Sequence, residues 1–139
     1  MIWEQAITLE TLNKRSENTA ASHLGIDFTE IGDDFLVATL PITDKCRQPL
    51  GWLHGGISVA LAETVGSTAA NACVDQNTHF CVGLDINANH VRSVQSGIIT
   101  ARAEPIHLGK TTQVWHISIH DESAKLCCIS RLTMSVLSR

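Results

Sequence analysis

One segment limits what this chain can become. From Gly56 to Ala70 it reads GISVALAETVGSTAA, with Glu63 as the only formally charged side chain between Gln48 and Val74. The run predicts a helix that is apolar on nearly every side, and such helices sit inside a protein. A carboxylate carried inward on it loses water, so its charge must be matched or put to use. Two readings follow. Glu63 forms a structural ion pair with an arginine such as Arg92 or Arg102, or it is a reactive carboxylate close behind His54-Gly55-Gly56.

The rest of the chain alternates around this helix. Thr8 is placed to cap a short helix over Leu9 to Lys14. Two strand-like runs follow, residues 26–31 and 35–40, joined by the turn signal Gly32-Asp33-Asp34. Pro41 ends the second, and residues 42–54 are irregular, with Pro49 and Gly51 as breakers. After the long helix, expected over about 56–72, everything reads as strand: 80–91, 97–103, 111–120 and 125–136. Residues 111–120 alternate cleanly, with Val114, His116, Ser118 and His120 set against Trp115, Ile117 and Ile119. The pattern is an α+β layer design with one long helix. A flat, one-sided sheet cannot cover a helix that is apolar all round. Either the sheet curls about it, or a second copy of the chain covers its free face. No linker or repeat interrupts residues 1–139, which we read as one domain.

Charge and cysteine usage narrow the function classes. The net charge is −4 and there is no basic run, which disfavours nucleic acid as a partner. The start, Met1-Ile2-Trp3-Glu4-Gln5, lacks a basic and then apolar leader pattern, and the apolar stretch around Glu63 is a poor membrane span. Five cysteines, with no CxxC pair, read as reduced apolar residues of a cytoplasmic protein. Cys127 and Cys128 are adjacent and would face opposite ways on a strand. No Cys and His spacing fits zinc, and His116 and His120 stand too far apart on a strand to clamp one ion. There is no phosphate loop of the dinucleotide or nucleotide type, and no GxSxG elbow.

At Gly51-Trp52-Leu53-His54-Gly55-Gly56, followed by Glu63 and Ser67, the sequence resembles the hotdog-fold acyl-CoA thioesterases. It is most similar to the aryl-CoA group related to 4-hydroxybenzoyl-CoA thioesterase. The resemblance runs end to end, through Leu24-Gly25-Ile26, Gln48-Pro49, Val82-Gly83-Leu84, Asn87-Ala88-Asn89-His90 and His107-Leu108-Gly109 to Cys127-Cys128. It implies a curved antiparallel sheet wrapped around one long helix. It also implies hydrolysis of an acyl-CoA without metal or bound cofactor, and a homodimer that pairs again into a homotetramer. Glu63 would be nucleophile or general base, Gln48 would place the water or the carbonyl, and His54 would orient the site. Gly83, the segment His90-Val91-Arg92-Ser93 and the segment His107-Leu108-Gly109-Lys110-Thr111-Thr112 would hold the nucleotide and pantetheine arm. The resemblance leaves open an acyl or aryl carrier protein as a further partner, in place of coenzyme A. Leu50 and Thr68 depart from the residues usual in the group.

The chemistry of the residues agrees. Hydrolysis of a thioester needs donors aimed at the developing oxyanion, and glycines at a helix start expose free N–H groups and the positive end of the helix dipole. Gly55 or Gly56 fits that need, unless the pair is a plain turn into the helix. Ser67 lies four residues past Glu63, on the same face. It would bond the carboxylate, the water or the departing sulfur, or else its own helix backbone. Gly55 and Glu63 are eight positions apart, roughly 12 Å along one helix. A donor and an attacking group must both lie about 3 Å from one carbonyl. One helix cannot satisfy both, whereas two antiparallel copies can, which predicts sites shared between chains. Two other functions use the same features. One is an acyl thioester dehydratase on this scaffold; the other is an acyl-CoA or acyl-carrier binder in which Glu63 does no chemistry.

Overall fold

The computed structural model describes residues 1–139. Its elements in chain order are α1 (Leu9–Ser16), α2 (Ala20–Leu24), β1 (Asp27–Ile31), β2 (Leu36–Pro41), α3 (Gly55–Ala72), β3 (His79–His90), β4 (Ile98–Leu108), β5 (Thr112–His120) and β6 (Leu126–Ser138). The six strands form one antiparallel sheet in the order β1-β2-β4-β5-β6-β3. Helix α3 packs against β2, β3, β4, β5 and β6, so the sheet curves around it.

Every long element expected from the sequence is present, with ends shifted by local chemistry. Thr8 caps α1 by accepting from the Thr11 N–H at 3.1 Å, and Thr11 closes the capping box in return. The helix then runs to Ser16, past Lys14. Two short elements were not expected: the one-turn α2 and a 3-10 turn over Asp44–Cys46. Neither is long enough to show an apolar period. Strand β4 extends beyond Ala103 to Leu108. Pro105 is tolerated because the register with β5 shifts between Pro105 and His107. At the β5–β6 turn, Asp121 Oδ1 accepts from the N–H groups of Ser123 and Lys125, as a hairpin loop requires.

The core lies between α3 and the inner face of the sheet. Strand β5 buries Gln113, Trp115, Ile117 and Ile119 and leaves the intervening residues half-exposed. Ile99, Ala101, Ala103, Cys128, Leu132 and Met134 complete that face from β4 and β6. The helix answers with Ser58, Leu61, Ala62, Val65, Gly66, Ala69 and Ala70. Gly66 is needed for close approach, since a Cβ there would lie 2.7 Å from Leu132 Cδ2. Cys127 and Cys128 are both buried: the register with β5 shifts here, leaving Cys127 as the extra residue of a bulge, and its C=O accepts from the Val91 and Arg92 N–H groups. All five cysteines are free thiols. No helix is long and apolar enough to cross a membrane.

Trp115 is the largest fully buried side chain, and its Nε1 donates to Gln113 Oε1 at 2.9 Å. Truncation opens a cavity and leaves the Gln113 oxygen unpaired. Trp115→Ala should lower the unfolding free energy by about 3–5 kcal/mol. Urea denaturation followed by circular dichroism checks it, and a loss under about 1 kcal/mol would contradict this packing.

Candidate active site

The long helix is not apolar all round in its setting. Its outer stripe, Val59, Ala60, Glu63, Thr64, Ser67, Thr68 and Asn71, is only half-covered by the chain. Glu63 lies on this stripe, half-buried rather than sealed in the core. The ion-pair reading fails for both arginines. Arg102 pairs with Glu104 at 3.0 Å and stacks on the Phe35 ring, and no cationic side chain lies within 4.0 Å of the Glu63 carboxylate. The carboxylate also accepts no hydrogen bond from the chain.

What Glu63 meets is the backbone of β3. A Cβ added to Gly83 would sit 2.6 Å from Glu63 Oε1. Seven residues on, His90 packs its ring against Gly55, with Nε2 3.0 Å from where a Gly55 Cβ would stand. Residues an odd number apart on a regular strand face opposite sides. The register of β3 against β6 shifts between Gly83 and Asp85, and this bulge switches the inward set, so that Gly83 and His90 both face the helix. No sequence pattern announced the bulge. Its one trace is the break in alternation that Gly83 and Leu84 introduce.

The loop before α3 presents the other polar groups. His54 is the helix N-cap, and its Nδ1 accepts from the Gly56 N–H at 2.9 Å. That bond makes Nδ1 the bare nitrogen, places the ring proton on Nε2, and uses up the Gly56 N–H. The Gly55 N–H has no partner in the chain, so of the two glycines Gly55 is the free donor. Gln48 opens a tight turn in which its Oε1 accepts from the Leu50 N–H and its C=O from the Gly51 N–H. Gly51 holds φ +92°, a value that glycine adopts without strain. With Oε1 occupied, Gln48 offers its NH2 group outward.

Gln48, Trp52, Gly55, Ser58, His90, Arg92, Ser93 and Cys127 line one cavity of about 260 Å³. Burial pushes the Cys127 thiol up to about 11, with Asp121 adding to the effect, so it stays protonated and donates to the Ile119 C=O at 3.2 Å. Ser67 opens on a different cavity, of about 270 Å³, with Thr64, Thr68, Asn71 and Arg15. Thr64 bonds back to the Ala60 C=O at 2.6 Å, whereas the Ser67 hydroxyl makes no such bond. Gly109 and Lys110 lie by a third, with His79 and Cys73. His107 and Leu108 belong to the end of β4, Thr112 begins β5, and Val91 is exposed beyond β3. The expected residues therefore fall into separate groups on one chain. The structure joins Gln48, Gly55, His90, Arg92 and Ser93, and separates them from Glu63, from Ser67 and from 107–112.

The sheet, the single long helix and the glycine-led helix start together define the hotdog class of thioester enzyme. The thioesterase superfamily profile matches residues 50–128. The chain is 50% identical to a 1,4-dihydroxy-2-naphthoyl-CoA hydrolase of Escherichia coli, over 99% of this chain and 100% of that one. It is 45% identical to the proofreading thioesterase EntH of Cronobacter turicensis, over 99% of each. A crystal structure of a Haemophilus influenzae thioesterase superposes with a TM-score of 0.96 at 54% identity, covering 99% of this chain and 96% of that one. The chain belongs to the thioesterase superfamily and is a thioester hydrolase.

Gly83 tests the helix–strand contact directly. Gly83→Ala would push the Glu63 carboxylate aside while leaving the sheet intact. A displacement of this size should slow thioester hydrolysis by about 10²-fold with little change in melting temperature. Turnover within twofold of the parent would mean that the position of the carboxylate is unimportant.

Proposed function

We propose that the chain hydrolyses acyl-CoA thioesters carrying an aromatic acyl group, releasing the free acid and coenzyme A. The observation that carries this reading is the pair of unsatisfied groups on one helix. The Gly55 N–H is a free donor at the positive end of α3, and Glu63 is a carboxylate with neither ion partner nor hydrogen bond. A thioester carbonyl supplies what the first lacks. Attack on that carbonyl, directly or through a water, employs the second. Acyl-enzyme and general-base routes both start from an ionised Glu63. Gln48 donates through its NH2 group to the water or the carbonyl, and His54 fixes the helix start by capping it. Trp52 at the cavity wall and exposed Leu50 beside it offer an apolar surface to a ring. The E. coli relative named for a naphthoyl-CoA substrate supports the aromatic preference.

Arg92, His90 and Ser93 stand at the mouth of the Gly55 cavity and suit the phosphates and amides of coenzyme A. The segment 107–112 and Gly83 would contact the same molecule from another chain. The site is complete only in a two-fold dimer, with Gly55 of one protomer beside Glu63 of its partner. The half-covered stripe of α3 and the outer edge of β3, which pairs with no other strand, are the surfaces such a partner would cover. A second pairing into a tetramer, and a carrier-protein thioester as substrate, extend the same reading.

Two experiments test it. Glu63→Gln should fold and lose at least about 10²-fold in turnover on benzoyl-CoA, with KM little changed. Near-normal turnover would leave Glu63 without a chemical role and return it to a structural one. The shared site is tested by refolding Glu63→Ala together with Gly55→Pro, which removes the free N–H at a helix position that tolerates proline and presses a Cβ against the His90 ring. Both parents should be folded and inactive. The mixture should recover roughly a quarter of the parental sites, because half of the dimers are mixed and each mixed dimer has one intact site. A mixture that stays inactive despite proven heterodimers would refute sites built from two chains.

A further inference from the structure

Ser58 lies on α3 one turn past Gly55, on the face turned into the protein, and is only 5% exposed. It is the one polar residue of the Gly55 cavity at such depth: Gln48 is half-buried, and His90, Arg92 and Ser93 are exposed. A serine inside a helix ordinarily turns its hydroxyl back to the carbonyl four residues before it, as Thr64 does to Ala60 at 2.6 Å. The Ser58 hydroxyl does not. Its backbone N–H bonds to the His54 C=O, but the hydroxyl bonds to no atom of the chain. Nor is it sealed in, for the polar side-chain atoms fully shut off without a partner belong to Gln5 and Ser130. The hydroxyl therefore opens into the cavity from its floor. Leaving such a group unpaired costs stability, and alanine in its place would cost nothing in helix propensity.

We propose that the Ser58 hydroxyl is a second donor to the thioester carbonyl oxygen, acting beside the Gly55 N–H. The two groups are three residues apart, hence on one face of the helix and one turn from each other. Depth sorts the rest of the cavity. The exposed side chains at the mouth, the Arg92 guanidinium and the His90 ring, meet groups that stay partly in water, such as phosphates. The reacting carbonyl needs the region that water leaves, where a hydrogen bond to a developing oxyanion counts most. Gly55 and Ser58 are the donors there. Cys127, at the same cavity, already gives its proton to Ile119, so it does not compete. During attack on the carbonyl carbon the C=O π pair moves onto oxygen, and both donors keep their protons. As the tetrahedral centre collapses the pair returns, the C–S bond breaks, and the thiolate of coenzyme A leaves.

This inference rests on the thioesterase reading of the Gly55 cavity, and its test separates the two. The variants are Ser58→Ala and, if that protein folds poorly, Ser58→Cys, which keeps the volume with a weak donor. Glu63→Gln runs beside them. Kinetics use benzoyl-CoA. A non-hydrolysable aryl ketone of coenzyme A, carbon-13 labelled at the carbonyl, reports the hydrogen bonds to that oxygen by infrared difference spectroscopy. Ser58→Ala should lower kcat by about 10²-fold with KM within twofold, the loss expected for one oxyanion donor. The carbonyl stretch of the bound ketone should move to higher frequency, and the melting temperature should not fall. An unmoved stretch, or an unchanged kcat, overturns the assignment if Glu63→Gln is inactive. A variant slowed only in proportion to lost folded protein, with the stretch unmoved, also overturns it, since that is what a packing role would give. If Glu63→Gln too stays active, the thioesterase reading of the site fails, and this assignment fails with it.

Discussion

The contact of β3 with α3 is the constraint on which the candidate site depends. The strand runs antiparallel to the helix, so that Gly83 meets Glu63 and His90 meets Gly55. Both contacts need the bulge between Gly83 and Asp85, because a regular strand would turn one of the two residues outward. Asn71 reinforces the arrangement. Its side chain accepts from the Cys81 N–H at 2.8 Å and donates to the Cys81 C=O at 3.1 Å, tying the helix to the strand two residues before Gly83. The bare backbone of Gly83 thus stands next to the carboxylate. Glycine is the residue that lets them come that close.

The fold was legible because its signals are periodic. Thr111 to His120 alternates without error, and the structure buries Gln113, Trp115, Ile117 and Ile119 on one face of β5. The helix was legible from its apolar run, but that run overstated burial. Sequence cannot tell a stripe covered by the same chain from one left for something else, and Glu63, Ser67 and Thr68 lie on the second kind. The ion pair with Arg92 or Arg102 was open on charge alone. It closed once Arg102 proved to be held by Glu104 and Phe35 on the outer face of the sheet.

Within the site, local chemistry was readable and long-range placement was not. His54-Gly55-Gly56 announced a helix start with free N–H groups. Only the folded chain shows that His54 takes one of them and leaves Gly55 the other. Gln48 and His90 meet across a cavity through contacts between a loop and an edge strand, which no spacing rule encodes. Ser58 is silent in the sequence for the opposite reason. In sequence it is one more small residue among GISVALA. Its meaning appears only when its hydroxyl is seen to lack the backbone bond that Thr64 makes.

The unpaired state of Glu63 bears on how such a site would be built. A carboxylate sealed in a core by its own chain would need a donor or a cation, and either would blunt it as a base or nucleophile. Here the chain leaves it half in water, so the lone protomer avoids the desolvation penalty. On the proposed two-chain reading, water is removed when the partner covers the stripe of α3 and when the acyl group enters. The penalty is then borne by an association that buries apolar surface, including exposed Val82 and Leu84 of β3. On that reading the carboxylate would become reactive in the same step that brings it beside the Gly55 donor of the other chain. A protomer alone would hold both groups, 12 Å apart in rough terms, and neither would act on the other's carbonyl. Assembly and chemical competence would then be one event, for which the free edge of β3 and the bare carboxylate are two halves of the same provision.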